Sequence, residues 1–340
     1  MRTFILTLDY ELFGDGSGDI EALMIKPTER LLLLAEKYGI KYTFFFEVIE
    51  YWKFQEALEA GNLMGYSFNP VEAIKSQIHD IVRKGHDVQL HLHPQWLEAE
   101  YCGRTWKVDG SRWRLGDYRI TQGMSLFDLI KKGKETLESL IKPVNPEYRC
   151  MAIRAGGYNA QPSFEIVRAM EACHIKVDSS LYAGGVEEGP LSRYDYSNIP
   201  DAQYWQVGRE LTEHGNSSVI ELPIYSAKIS LWQKYTSLNL WLAYGRKLKY
   251  PRYAPLDCNV AQKGNKHRNW HEKIWQSWDF CLLSPRMQNV FLQRMVASGR
   301  NSAVLVGHPK SFTRRNGLER LLKLTKYDKF ITITDFLQSC

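Results

Sequence analysis

The chain has 340 residues, of which 44% are hydrophobic, and a formal net charge of +6 at pH 7. This apolar content is enough for a large core, whereas a mean hydropathy of −0.37 excludes a protein built mainly of membrane-spanning helices. The basic run at residues 246–249 (RKLK) is too short for a nucleic-acid-binding tail, so we expect no nucleic-acid partner.

The N-terminus and the cysteines predict the location of the protein. A strand-like run begins directly after Met1, without the basic and apolar segments of a secretory signal peptide. No apolar run approaches the length of about 20 residues that a transmembrane helix needs. The six cysteines contain no Cys-x-x-Cys pair, which is typical of reduced thiols. We therefore expect a cytoplasmic protein without a transmembrane segment, and a peripheral contact with a membrane stays open.

The first strand-like run ends in two carboxylates. Residues 5–8 (ILTL) are aliphatic or β-branched and too few for a helix, so they predict a buried strand. Asp9 and Glu11 follow, and side chains two residues apart on a strand share one face. The carboxyl end of a parallel strand is where α/β proteins bind ligands. The structural alternative is that one carboxylate caps the next segment.

Helix-like and strand-like segments alternate along the rest of the chain. The periodicity predicts helices over residues 28–38, 47–62, 70–84, 125–141, 162–173, 284–298 and 318–324. It predicts further strands over residues 40–46, 86–93, 148–154, 175–178, 219–224, 303–306 and 330–336. This order indicates an α/β fold with a parallel sheet and right-handed crossovers, in one domain over residues 1–340. Helical and aromatic-rich insertions are expected at residues 94–144 and 231–280.

Five of the predicted strands end in polar or ionisable side chains. These side chains are Asp9 with Glu11, His91 with His93, Arg154, Asp178 and His308. In a barrel, all five strand ends would meet at one rim. Each side chain alone has an ordinary structural explanation, but their recurrence at strand ends points to a functional rim.

Two histidines and a carboxylate from separate strands are typical ligands of a catalytic divalent metal such as Zn²⁺. If Glu11 binds the metal together with His91 and His93, Asp9 is free to act as a base on water whose pKa the metal lowers.

The remaining strand ends would complete an amide hydrolase. Arg154 would pair with Asp9 and keep it ionised. His308 would protonate a leaving amine, and Asp178 would orient His308 and support its charged form. Backbone N–H groups near residues 156–158 would join in stabilising a tetrahedral oxyanion.

Five segments resemble the motifs of the polysaccharide deacetylase family, the NodB-homology or carbohydrate esterase family 4 type. They are TLDYE (7–11), GHDVQLHLH (85–93), RAGGY (154–158), DSSLY (178–182) and LVGH (305–308), in the family's order over nearly the whole chain. The resemblance implies a distorted (β/α)7 TIM-like barrel and a divalent metal, with Zn²⁺ favoured over Co²⁺, Ni²⁺ or Mn²⁺. It also implies removal of acetyl groups from sugars.

The resemblance assigns roles to individual residues. The implied catalytic residues are Asp9 as base, His308 as acid, Arg154 as the partner of Asp9, and Asp178 beside His308. The implied metal ligands are Glu11, His91 and His93. The expected substrate-binding residues are Gly157, Tyr158, Tyr182 and Trp96.

Three positions depart from the family motifs. Tyr10 stands where the family has its second aspartate, so Glu11 must supply the metal carboxylate. Gln95 stands where the second histidine of the usual HxxxH pair would lie, so either His93 or Gln95 completes the metal site. Tyr182 replaces a tryptophan.

The expected substrate is an N-acetylated sugar of a cell-surface polysaccharide, or its nucleotide- or lipid-linked precursor, as in lipopolysaccharide biosynthesis. Aromatic side chains in the insertions would stack on sugar faces or, equally, cover the core. They are Trp96, Trp106, Trp113, Tyr118, Trp232, Tyr235 and Trp241. The alternatives are an allantoinase-like hydrolase of another C–N bond and a carbohydrate-binding relative that has lost catalysis.

Overall fold

A computed structural model describes residues 1–253 and 271–339. Its strands, in chain order, are β1 (Thr3–Tyr10), β2 (Tyr42–Glu47), β3 (Asp87–Leu92), β4 (Glu100–Tyr101), β5 (Trp106–Lys107), β6 (Ala152–Ala155), β7 (Val177–Asp178), β8 (Val186–Glu188), β9 (Arg193–Asp195), β10 (Trp205–Gln206), β11 (Ile220–Glu221), β12 (Ser226–Ser230), β13 (Lys273–Ser277), β14 (Ser302–Gly307) and β15 (Lys329–Phe330). Its α-helices are α1 (Lys26–Tyr38), α2 (Val48–Glu59), α3 (Pro70–Arg83), α4 (Leu126–Ile141), α5 (Phe164–Ala172), α6 (Leu231–Tyr235), α7 (Leu238–Lys247), α8 (Pro285–Ala297), α9 (Leu318–Leu324) and α10 (Ile333–Ser339).

Seven parallel strands form the centre of the fold. They run in the order β14-β1-β2-β3-β6-β7-β11, so strands that follow one another in the chain are also neighbours in the sheet. Ile224, just after β11, makes single parallel bridges to Tyr182 and to Val304 of β14. The segment after β11, at one end of the curled sheet, therefore contacts β14, at the other end, through one bridge. This arrangement confirms the predicted α/β class and the distorted (β/α)7 barrel.

The central strands are buried on both faces. Every residue of β2 and β3, and every residue of β1 after Thr3, is buried. Such strands are typical of parallel sheets, because helices cover the outside while side chains fill the inside. The polar residues of these strands therefore need partners within the barrel.

Helix α1 shows how local sequence fixes the outer layer. Pro27 lies in its first turn, where no intrahelical N–H bond is lost. The helix ends at Gly39, whose φ of +65° places it in the left-handed region that glycine occupies without strain. Leu31 and Ala35 are buried one turn apart, as the leucine spacing predicted.

The other predicted helices agree with the structure to within a few residues at each end, whereas β6, β7 and β11 are shorter than their predicted strands. The predicted strand over residues 330–336 is wrong beyond Phe330, because Ile333–Ser339 form α10. Thr332 Oγ1 accepts from Asp335 N, and Asp335 Oδ2 accepts from Thr332 N. This reciprocal pair is a capping box that starts a helix despite the alternating pattern of FITITDF.

The two insertions contain secondary structure of their own. Residues 94–144 include the β4–β5 hairpin and α4, and residues 231–280 include α6, α7 and β13, which pairs with β12. Residues 254–270 of the second insertion lie outside the described residues, as do Cys258 and Cys340. The other four cysteines are free thiols. Within residues 1–253 and 271–339, each helix is too short or too polar to cross a bilayer.

Candidate metal and catalytic centre

Ionisable side chains from four of the seven parallel strands meet at one rim of the barrel. Asp9 lies on β1 and Glu11 directly follows it. His91 lies on β3 opposite Arg154 of β6, which the parallel register places side by side. These four side chains are buried, as is His93, and the half-buried His308 follows β14. The structure therefore contains the rim of ionisable side chains that the strand ends predicted. Several of these side chains lie within hydrogen-bond or ion-pair distance of one another.

Glu11, His91 and His93 form a compact cluster. Glu11 Oε2 lies 2.7 Å from His93 Nε2 and 3.5 Å from His91 Nε2. One donor atom from each of the three residues lies within 4.8 Å of the other two. His91 Nδ1 lies 2.9 Å from the carbonyl oxygen of Arg154, which can only accept. This carbonyl favours the tautomer with the proton on Nδ1, in which the lone pair of His91 Nε2 points into the cluster.

The cluster has the chemistry of a divalent metal site. Among the described residues, the Nε2 atoms of His91 and His93 are buried without a hydrogen bond of acceptable geometry, in spite of the short contact with Glu11. Burial lowers the pKa of His93, which favours the neutral imidazole that a metal requires. Two imidazole nitrogens and one carboxylate oxygen, with further positions left open, suit a catalytic Zn²⁺ or a similar ion.

Gln95 lies behind His93 and does not join the cluster. Gln95 Nε2 is 2.8 Å from His93 Nδ1, while Gln95 Oε1 is buried without a partner among the described residues. Rotating this amide by half a turn would let Oε1 accept a hydrogen bond from His93 Nδ1–H. The lone pair of His93 Nε2 would then be free for a metal. Of the two alternatives, the structure brings His93 into the cluster and leaves Gln95 as its hydrogen-bond partner.

Lys310 holds the other oxygen of Glu11. Its buried ammonium donates to Glu11 Oε1 at 2.7 Å and to the carbonyl of Leu12 at 2.6 Å. Burial raises the pKa of Glu11, but the Lys310 ammonium and the two histidines outweigh burial and hold that pKa well below its usual range. Glu11 is therefore ionised, with Oε2 directed at the histidines.

Asp9 pairs with Arg154, as predicted. Arg154 Nη1 donates to Asp9 Oδ1 at 2.6 Å, and the fully buried guanidinium also donates to Thr7 and Ser179. Burial raises the pKa of Asp9, but Arg154, His91 and His308 outweigh it and lower that pKa below its usual value. Asp9 Oδ2 faces His308 Nε2 at 3.4 Å and points toward the open part of the rim.

Asp279, and not Asp178, lies beside His308. Asp279 Oδ2 is 3.4 Å from His308 Nδ1. Burial lowers the pKa of His308, but the contacts with Asp279 and Asp9 outweigh burial and raise it above its usual value. Asp178 instead accepts from the amide and the hydroxyl of Ser180 at 2.8 and 3.0 Å. The predicted orienting role of Asp178 is therefore wrong, and Asp279 occupies that position.

Asp178 belongs to a buried carboxyl pair. It lies opposite Glu221 in the parallel register of β7 and β11. Burial raises the pKa of Asp178, and burial together with Asp178 raises that of Glu221 well above the usual range. Two buried carboxyl groups that face each other favour a neutral, proton-sharing state.

Replacing Asp279 by asparagine is expected to lower the pKa of His308, because the imidazolium loses the negative partner at its Nδ1 side. NMR titration of the His308 ring in the metal-free protein measures this shift. Asp178→Asn is the matched control and should leave the titration of His308 unchanged. A shift produced by Asp178→Asn and not by Asp279→Asn would restore the sequence-based assignment.

The predicted substrate-binding residues fall into two groups. Tyr158 and Tyr182 line a cavity of about 640 Å³ that also contains His308, Lys310 and Trp275. Gly157 lies in the exposed turn next to Tyr158, with a φ of +56°. These three residues lie where a substrate could reach them.

Trp96 cannot contact a substrate, which corrects the fourth prediction. Its side chain is 1% exposed and packs edge-on against Phe54 and Trp106 in the core. Trp113, also among the aromatic candidates, does reach the site: its ring centroid is 6.2 Å from that of His93.

Gly156 is needed because His93 lies against it. A Cβ atom at Gly156 would lie 2.4 Å from the His93 ring, closer than atoms can approach. The Gly-Gly turn after Arg154 thus makes room for a metal ligand, in addition to its predicted place in an oxyanion site.

Sequence reasoning missed two residues of the centre. Lys310 lies in a short 3₁₀ turn, two residues after His308. Its position between Pro309 and Ser311, directly after a strand end, was the available signal. Asp279 makes a bridge with Val306 of β14 from a segment without clear periodicity, so no comparable signal for it exists in the sequence.

No protein-family model and no curated protein sequence matches the chain. Solved structures match it over nearly its whole length. A proposed polysaccharide deacetylase from Mycobacterium smegmatis matches with a TM-score of 0.48 and 12% identity, covering 99% of this chain and 89% of that one. The polysaccharide deacetylase Bc1974 from Bacillus cereus matches with a TM-score of 0.41 and 10% identity, covering 98% and 92%. The allantoinase Puue matches with a TM-score of 0.44 and 12% identity, covering 99% and 89%.

The matching folds include polysaccharide deacetylases. They also include an allantoinase, and every one of these identities is at most 12%. Similarities of this size transfer no residue roles, so any function for this chain must be argued from its own side chains.

Proposed function

We propose that the chain is a divalent-metal-dependent hydrolase that removes the acetyl group from an N-acetylated sugar. One observation carries this proposal: the buried cluster of Glu11, His91 and His93 lies next to Asp9 and His308, whose pKa values are shifted in opposite directions. Asp9 has a lowered pKa and His308 a raised one, and the two face each other at 3.4 Å. A base and an acid with separated pKa values, beside a metal site, are the parts that amide hydrolysis needs.

Glu11, His91 and His93 would hold the metal ion. A bound divalent ion supplies Lewis acidity, which polarises the acetyl carbonyl and lowers the pKa of water. Lys310 and the carbonyl of Arg154 fix the orientation of Glu11 and His91 in advance. These two contacts restrict the motion of the Glu11 and His91 side chains.

Asp9 is the proposed base. Because Arg154 holds Asp9 Oδ1, Oδ2, which faces His308, is the oxygen that would take a proton from the attacking water. The lowered pKa of Asp9 keeps this oxygen ionised at neutral pH. Arg154 holds the carboxylate still, since its guanidinium is itself fixed by Ser179 and Thr7.

His308 is the proposed acid. Its raised pKa favours the imidazolium, which can deliver a proton from Nε2 to the departing amine nitrogen. Asp279 holds Nδ1 on the other side of the ring. The imidazolium is thereby oriented toward the rim and supported electrostatically.

The cavity beside His308 would hold the sugar. Tyr158, Tyr182 and Trp275 provide aromatic faces, and Lys273 adds a positive charge at the same cavity. Its volume of about 640 Å³ lies within the usual range for ligands larger than one sugar ring. These features suit an N-acetyl sugar on a nucleotide or lipid carrier, and we extend the proposal to a cytoplasmic carrier used for a cell-surface polysaccharide such as lipopolysaccharide.

Product analysis tests the proposal. Protein loaded with Zn²⁺ should release acetate from UDP-linked N-acetyl sugars, and protein stripped by a chelator should not. Allantoin and related ureides should release neither ammonia nor urea. Urea or ammonia release with no acetate would replace the deacetylase by an allantoinase-like hydrolase. Sugar binding without any hydrolysis in the metal-loaded protein would favour the carbohydrate-binding alternative.

A further inference from the structure

Helix α7 presents apolar side chains on both of its faces. Asn239, Leu240 and Ala243 are buried and attach the helix to the barrel. On the opposite side, Leu238, Trp241 and Leu242 are each more than two-fifths exposed, and Leu248 directly after the helix is 78% exposed. This spacing places them in one stripe along the helix. A helix on the surface of a monomeric protein normally has polar residues there.

The stripe is part of a larger surface, here called the α7 face. It consists of Trp232, Leu238, Trp241, Leu242, Tyr244, Leu248 and Tyr253, all of them exposed. The Trp241 indole donates to the carbonyl of Tyr235 at 2.8 Å and lies edge-on to Tyr244, so its ring is held at the surface. Seven exposed large apolar side chains within 22 residues of one another are more than the scattered single ones of an ordinary surface, and such a concentration marks an interaction site.

The chain segment that carries the α7 face is basic. No Asp or Glu occurs in the sequence between Glu221 and Asp257, whereas six basic residues do. They are Lys228, Lys234, Arg246, Lys247, Lys249 and Arg252. Asp15 pairs with Lys247 at 3.1 Å and with Arg252 at 3.3 Å, and it neutralises one of these charges. Lys249 is exposed on the stripe itself.

We propose that the α7 face docks on the surface of an anionic lipid bilayer. Tryptophan and leucine on one helix face, flanked by lysine and arginine, are the features that place a helix in the interface of such a bilayer. A second copy of the chain fits this face poorly, because two identical positive surfaces would repel each other. Docking by α7 requires no membrane-spanning segment.

The α7 face is connected to the catalytic rim. Asn239 donates to the carbonyl oxygens of Cys281 and Leu282 at 2.9 and 2.6 Å. Arg246 donates to the carbonyl of Lys310 at 3.0 Å, and Lys234 of α6 lines the cavity beside His308. A docked protein would therefore hold this cavity close to the lipid headgroups. If the proposed hydrolase function also holds, the acetylated sugar would be one that a membrane lipid carries.

Co-sedimentation of the full chain with vesicles tests the docking. The protein should bind vesicles that contain phosphatidylglycerol more strongly than vesicles of phosphatidylcholine alone, and less strongly at high salt. The double variant Leu238→Ser/Leu248→Ser should lower the partition coefficient at least about tenfold, because two apolar side chains are lost from the interface. Lys249→Glu should weaken binding only to the anionic vesicles.

The matched control is Leu33→Ser/Ile120→Ser, which removes two side chains of similar exposure from other parts of the surface. It should bind as the wild type does. Zinc content and melting temperature should be unchanged in both double variants, which separates failed docking from a failed fold or a failed metal site. Equal vesicle binding by the wild type and Leu238→Ser/Leu248→Ser would overturn the proposal. So would a dimer in solution that this double variant dissociates.

Discussion

Replacing Asp9 by asparagine is expected to lower kcat for acetate release by about 10²–10⁴-fold while the protein keeps its metal. The amide cannot accept the proton that the Asp9 carboxylate would take. Asparagine has nearly the same shape, and Arg154 keeps its hydrogen bonds to Ser179 and Thr7, so the barrel should still fold. Acetate release and zinc content, measured on the same preparation, give the result.

Asp178→Asn is the control for this experiment. Asp178 is as deeply buried as Asp9, but its side chain accepts hydrogen bonds from Ser180 and lies opposite Glu221, and it is not part of the Glu11–His91–His93 cluster. It should lose much less activity than Asp9→Asn. An Asp9→Asn protein with wild-type kcat would show that Asp9 is not the base, and one without zinc would show that Asp9 is a metal ligand.

Replacing Glu11 by glutamine is expected to weaken Zn²⁺ binding by more than about 100-fold. Changing groups that only orient a metal ligand already costs about 10–100-fold, and Glu11 supplies the charged ligand itself. The substitution also leaves the buried Lys310 ammonium without its carboxylate partner. The positive charge of Lys310 is then no longer neutralised and repels the metal. Competition with a chromophoric chelator measures the affinity.

Glu47→Gln is a close control for Glu11→Gln. Glu47 is also a buried carboxyl group, and it accepts from the amide of His93 at 2.9 Å. Burial and the nearby Glu50 raise its pKa well above the usual range, so it is neutral, and glutamine keeps the same acceptor. Glu47→Gln should bind Zn²⁺ as the wild type does. Equal loss in both variants would mean that general disturbance of the rim, and not loss of a ligand, weakens binding.

The strand ends could be predicted because their signal is local. Alternation on β1 places Asp9 and Glu11 on one face, and the same period places His91 and His93 together at the end of β3. In parallel strands these ends must lie at the same edge of the sheet. The cluster follows from these two facts once the strands are recognised.

The partner of His308 could not be predicted in this way. Asp178 ends a predicted strand, whereas Asp279 follows a mixed segment, residues 273–278 (KIWQSW), and the choice between them depends on how the sheet closes. Asp279 reaches His308 because its segment bridges Val306 directly, while Asp178 lies on β7 and faces Glu221 of β11. The contact between Asp279 and His308 depends on how strands pair, and the periodicity of the sequence does not reveal it.

The burial of Trp96 and the contact of Lys310 depend on packing in the same way. Trp96 follows the histidine pair directly, yet the β4–β5 hairpin folds Trp106 onto it and excludes it from the cavity. Lys310 is buried because Glu11 and the carbonyl of Leu12 satisfy its ammonium. Aromatic or charged character at a position does not reveal which neighbour will cover it.

A crystal of the protein grown with Zn²⁺, measured on both sides of the zinc absorption edge, tests the proposed centre most directly. The anomalous map should show one ion about 2.0–2.2 Å from Glu11 Oε2, His91 Nε2 and His93 Nε2. Asp9 should remain paired with Arg154 and should not bind the ion. Absence of an ion between these three side chains at saturating Zn²⁺ would contradict the proposed metal site. An ion bound by Asp9 in place of Glu11 would contradict the proposed roles of Asp9 as base and Glu11 as metal ligand.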